Sequence, residues 1–100
     1  MNPILDTLSM AALLDAKEKV LGILKEEQHD DFRAAAFKLL DSVQPGMKPG
    51  STRLDTVRVA ITLFTRMEAK TGQDYSAQIM TCMAFAVDWI TTRDGETPDA

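Results

Sequence analysis

The run Ile79-Met80-Thr81-Cys82-Met83-Ala84-Phe85-Ala86-Val87-Asp88-Trp89-Ile90 decides the fold, because only Thr81 and Asp88 interrupt its apolar character. A helix that is apolar nearly all round needs cover on nearly all sides. The run therefore predicts a central helix wrapped by the rest of the chain. At about 12 residues it falls short of the roughly 20 that cross a bilayer, so no membrane segment is expected.

Working outward, Asp74 is a cap candidate for this last helix, which should extend from Tyr75 to about Thr92. Before it, Thr71-Gly72-Gln73 closes a third helix, since glycine takes the left-handed conformation at a helix end. That helix opens on Thr52-Arg53-Leu54-Asp55, which has the form of a capping box with Asp as a short version of the usual Glu or Gln. Leu54, Val57, Ile61, Phe64 and Met67 set out its apolar face. The stretch Gln44-Pro45-Gly46-Met47-Lys48-Pro49-Gly50-Ser51 carries two Pro-Gly pairs and reads as the one long loop.

Upstream of that loop, a second helix is expected from about Asp31 to Val43, buried through Phe32, Ala36, Leu39, Leu40 and Val43. The preceding polar Gln28-His29-Asp30-Asp31 should cap it. The first helix runs from Asn2 to Glu27 on the recurrence of Leu5, Leu8, Ala12, Ala16, Val20, Ile23 and Leu24. Asn2 and Pro3 suit its start, and Ser9 is a later cap candidate. Met10, Leu14 and Leu21 fall on roughly its opposite side, which points to a helix with two partners.

The expected architecture is all-α: a small bundle of about four helices, arranged as two αα-hairpins joined by the Pro-Gly loop. One hundred residues suit one core, read here as a helical domain over 1–93 with a flexible tail over 94–100. Hydrophobic residues at 45 % and charged residues at 26 % form a globular balance. A single cysteine excludes an internal disulfide and makes the cytoplasm the default location.

The composition also narrows function. The net charge of −4 is spread evenly, with six basic and eight acidic residues through Gly50 and five and seven after it. Neither half has the basic excess on which non-specific nucleic-acid binding rides. His29, Asp30 and Asp31 are adjacent and read as capping and loop residues rather than converging ligands. Cys82, within the apolar run, reads as a buried thiol. No Gly-x-Ser-x-Gly elbow or phosphate loop is present. The expectation is a non-enzymatic chain without cofactor or metal.

Four methionines, Met10, Met67, Met80 and Met83, with Phe37, Phe85 and Trp89, supply adaptable and aromatic surface of the kind used at protein interfaces. The two-faced first helix and the all-round fourth ask for more cover than three helices of this length readily give. Met10, Leu14, Leu21, Phe37, Met80, Val87 and Trp89 are accordingly expected at a contact surface, with another protein or with a second copy in a homodimer. Size and absence of chemistry suit an accessory or inhibitor protein of the phage or mobile-element type, which blocks a larger complex by occupying its surface. The alternative is a nucleic-acid-binding regulator using Arg58, Arg66 and Lys70 on the third helix; an acidic protein is another partner for that stripe.

Overall fold

The computed structural model describes residues 8–96, and among them it is all helical: α1 (Met10–Ile23), α2 (Glu26–Val43), a 3-10 turn (Gln44–Gly46), α3 (Arg53–Thr71) and α4 (Ser76–Glu96). The expected all-α bundle of four helices is what the chain forms. The Asn2 cap, Pro3 and Leu5 lie outside the described residues, as do residues 97–100.

Each helix start has a local cause. Ser9 caps α1, its hydroxyl accepting the Ala12 N–H at 3.2 Å. In α3 the capping box closes both ways, with Thr52 Oγ1 accepting the Asp55 N–H at 3.1 Å and Asp55 Oδ2 accepting the Thr52 N–H at 3.0 Å. Those Thr52 bonds hold the Asp55 carboxyl below its ordinary range. Gly72 ends α3 with φ +75, where a side chain would be strained. In α4 the Asp74 carboxylate accepts the Ser76 N–H at 2.8 Å.

Three boundaries differ from the sequence reading. The first helix stops at Ile23 rather than reaching Glu27, because Leu24 and Lys25 are extended. The second begins at Glu26, five residues before the expected Asp31. Gln28 Oε1 reaches back to accept the Lys25 N–H at 3.1 Å, and Glu26 and Glu27 occupy the first turn, where the helix dipole favours carboxylates. At the other end α4 continues to Glu96, so Asp94 and Gly95 are helical rather than part of a tail. Arg53 Nε donates to Asp94 Oδ1 at 2.8 Å and anchors this last turn to the start of α3.

The fourth helix is the centre. It packs against α1, α2 and α3, while α1 and α2 lie mainly against it rather than against each other. One apolar cluster gathers Leu13, Leu40, Val57, Ala60, Ile61, Ala86, Trp89 and Ile90, and a second gathers Ala36, Ala84 and Phe85 under Val20, Leu21, Leu24 and Phe32. Alanines at 36, 60, 84 and 86 are buried and let the helices approach closely. The two polar residues within the apolar run of α4 are both satisfied. Thr81 Oγ1 donates back to the Ala77 carbonyl at 2.7 Å, and Asp88 accepts from Lys17 Nζ of α1 at 2.6 Å, with Arg33 of α2 at 3.9 Å.

Trp89 is the largest side chain in this core and is 0 % exposed. Its Nε1 donates to Asp41 Oδ1 of α2 at 2.8 Å. Arg93, one turn on, donates to the same carboxylate through Nε at 3.0 Å and through its terminal nitrogen at 2.7 Å. These bonds, the Arg93 ones foremost, hold the Asp41 carboxyl below its ordinary value of 3.8. A carboxyl lowered in the folded state adds stability above its unfolded pKa and loses that contribution as pH falls through the lowered value.

Trp89→Ala is expected to cost about 3–5 kcal/mol, much of a small domain's stability. Asp41→Ala, which strands a buried indole N–H, should cost about 1–3 kcal/mol. Urea unfolding followed by circular dichroism measures both. Below pH 3.8 the gap between the wild-type chain and Asp41→Asn should shrink; a gap that stays constant with pH would contradict the Asp41 assignment.

Candidate protein-binding surfaces

The residues expected at a contact surface divide into three groups. Met10 and Leu14 of α1 and Met80 of α4 are exposed, as a partner-facing role requires. Leu21, Phe37 and Val87 are half-buried, and each packs on a core cluster. Phe37 is further covered by the guanidinium groups of Arg33 at 4.2 Å and Arg93 at 5.4 Å from its ring centre. Trp89 belongs to the interior, and its assignment to an interface is corrected. The physical reason is its cover: Leu13, Leu40, Val57 and Ile61 from the three other helices share its cluster, and Asp41 accepts its indole N–H.

Four further apolar residues are open, two of them, Ile23 and Met67, where the sequence reading placed an inward face. Ile23 is 81 % exposed, because α1 turns Leu13 and Ala16 inward and its last turn ends at the surface. On α3 the exposed residues are Val59, Leu63 and Met67, the last of which had been assigned to the inward face. Their spacing of four residues was visible in the sequence. At about 100° per residue this line starts at Val59, almost opposite the inward face of Val57, Ile61 and Phe64, and nears its edge only at Met67.

The basic stripe of α3 does not survive as three equivalent charges. Arg58 is turned to internal use: one terminal nitrogen donates to the Leu8 carbonyl at 2.9 Å, the other to Asp55 Oδ1 at 3.3 Å, and its Nε is buried without an acceptor. It fixes the lead-in to α1 against α3. Arg66 and Lys70 are exposed, and neither pairs with a carboxylate among the described residues.

A groove of about 220 Å³ opens between α2 and α4, lined by Phe32, Ala35, Ala36, Leu39, Ala77, Gln78, Thr81 and Cys82. The alanines make it: they leave a trench that larger side chains would fill. It is smaller than the roughly 300–1,000 Å³ of small-molecule sites and matches an apolar side chain or two. Burial pushes the Cys82 thiol up to about 11 from its ordinary 9.0. His29, in the first turns of α2, lies 3.4 Å from the Leu24 carbonyl oxygen and closes the α1–α2 turn. Among the described residues no three His, Cys, Asp or Glu side chains converge as metal ligands.

Two outcomes are expected from this geometry. Leu14→Glu should leave thermal stability nearly unchanged, within about 0.5 kcal/mol, whereas Leu21→Glu should destabilise the second cluster by about 1–3 kcal/mol, measured by urea unfolding. Cys82 should react with a thiol reagent about a hundredfold more slowly in the folded chain than in urea, since raising the pKa from 9.0 to about 11 lowers the thiolate fraction by that factor. Equal rates would show that the thiol is not held in the core.

Comparison with models of known protein families, with curated proteins and with solved structures finds no match to this chain.

Proposed function

We propose that this chain works by binding another protein, as an accessory or inhibitor that covers part of a larger complex. The observation that carries the reading is the apolar surface left after folding. Seven large hydrophobic side chains, Met10, Leu14, Ile23, Val59, Leu63, Met67 and Met80, remain exposed among the described residues. Five of them follow helical spacing on two helices, Met10 and Leu14 on α1 and Val59, Leu63 and Met67 on α3. Single exposed leucines are ordinary, but aligned ones on a short chain mark an interaction face.

The chemistry of such a face is adaptable burial rather than recognition of charge. Methionine contributes three of the seven positions, and its unbranched side chain fits irregular partner surfaces. Met10 and Leu14 on α1 form the surface assigned to the partner, while Met80 is exposed nearer the other end of α4. Nucleic-acid binding through α3 loses ground, because Arg58 is engaged within the fold and two remaining cations are a small footprint on an acidic chain.

A tagged pull-down from cell lysate, run with and without nuclease, tests the reading when paired with a Met10→Glu/Leu14→Glu variant. The expected result is a stoichiometric protein that survives nuclease and is lost with the variant, whose helicity matches the wild-type chain. A partner that disappears with nuclease, or that binds the variant equally well, contradicts the proposal.

A further inference from the structure

The apolar line on α3 carries its own charge code. Val59, Leu63 and Met67 advance about 40° from one to the next over about 12 Å of helix. Asp55 and Lys70 lie beside this line on the same flank, with Arg66 between them. Along the axis Asp55 stands about 12 Å to one side of Leu63, and Lys70 about 10.5 Å to the other. The acid is at one end and the free cation at the other, nearly equidistant from the central leucine.

We infer that this face pairs with the same face of a second copy, antiparallel about a twofold axis at Leu63. That operation sets Leu63 against Leu63 and Val59 against Met67 of the second copy, so the apolar line meets itself end to end. It brings Asp55 within about 1.5 Å along the axis of Lys70 of the second copy, on the flank where both helices present their charges. Two ion pairs result, one at each end. A parallel pairing in register leaves Asp55 and Lys70 about 22.5 Å apart along the axis, so neither gains an opposite charge. An unrelated protein must match this order of charges by its own sequence, whereas a second copy matches it by symmetry.

The groups are available for this. The Asp55 side chain is 41 % exposed and makes its present bonds to Thr52 and Arg58. A carboxylate has about four acceptor positions, so a further cation fits without breaking the cap. Three apolar side chains per copy make a contact at the small end of specific interfaces, so the dimer forms as a concentration-dependent equilibrium. The inference rests on the reading of exposed apolar lines as protein-binding surfaces and assigns one of them to self-association.

Cysteine cross-linking of the full chain distinguishes the geometries. Helix axes 8–10 Å apart leave facing Cα atoms roughly 5 Å apart, within disulfide span. Leu63→Cys, which lies on the axis, should form a covalent dimer under copper–phenanthroline in air. Val59→Cys alone should not, and Val59→Cys/Met67→Cys should. Analytical ultracentrifugation should show a monomer–dimer equilibrium for the wild-type chain that Leu63→Glu abolishes with helicity unchanged and Lys70→Glu weakens by about two- to fivefold. A wild-type chain that stays monomeric at all concentrations, or Val59→Cys linking as fast as Leu63→Cys, overturns the inference. If the nuclease-resistant partner is still captured in that case, the dimer falls and the binding function stands; if neither is seen, both fall.

Discussion

The hydrogen bond from the Trp89 indole to Asp41 organises much of this molecule. An indole N–H buried without an acceptor is costly, and the acceptor comes from a different helix. Arg93 grips the same carboxylate through two nitrogens and so fixes α2 against α4 at a defined height. Arg53 then lies 5.5 Å from the Trp89 ring centre while bonded to Asp94, which brings the start of α3 to the same point. Three helices are registered around one side chain. The remaining helix, α1, is registered on the other side of α4 by the short Lys17–Asp88 pair. A helix with an apolar middle thus takes its orientation from the polar groups within and just beyond that stretch.

Much of this was legible in the sequence where a local rule and a long-range need agreed. The apolar run of α4 predicted a central helix, and its neighbours do surround it. The capping box of Thr52 and Asp55, the glycine stop at Gly72 and the Pro-Gly loop each act through bonds between residues close in sequence, and each stands where it was read. The start of α2 was misread for a related reason. Asp30 and Asp31 resemble caps, but Gln28 caps from inside the helix, and that depends on where α1 stops. Propensity alone does not say which of two polar stretches breaks the chain.

The binding surface was legible only in part, because exposure is a property of packing. Met10, Leu14 and Met80 were named and are open. Trp89 reads as a contact residue and is the most enclosed of the aromatic residues, since its cover comes from Leu13, Leu40, Val57 and Ile61, which are distant from it in sequence. Val59 and Leu63 were passed over although their spacing was visible. A helix with apolar residues over a wide arc does not reveal from sequence which edge its neighbours will cover. The charges behave likewise: Arg58, Arg66 and Lys70 look equivalent on paper, yet the carbonyl of Leu8, fifty residues away, removes Arg58 from the set.

What results is a scaffold with its polar bonds spent on orientation and its surface hydrophobics unspent. The dependence of everything else on α4 is the central claim, and native-state hydrogen exchange followed by nuclear magnetic resonance tests it most directly. The slowest amides should lie between Cys82 and Ile90, exchanging only through global unfolding, while those of α1 and the outer turns of α3 open at lower free energy. Exchange in Cys82–Ile90 that is as fast as in the flanking helices would contradict the claim that the bundle is built on α4.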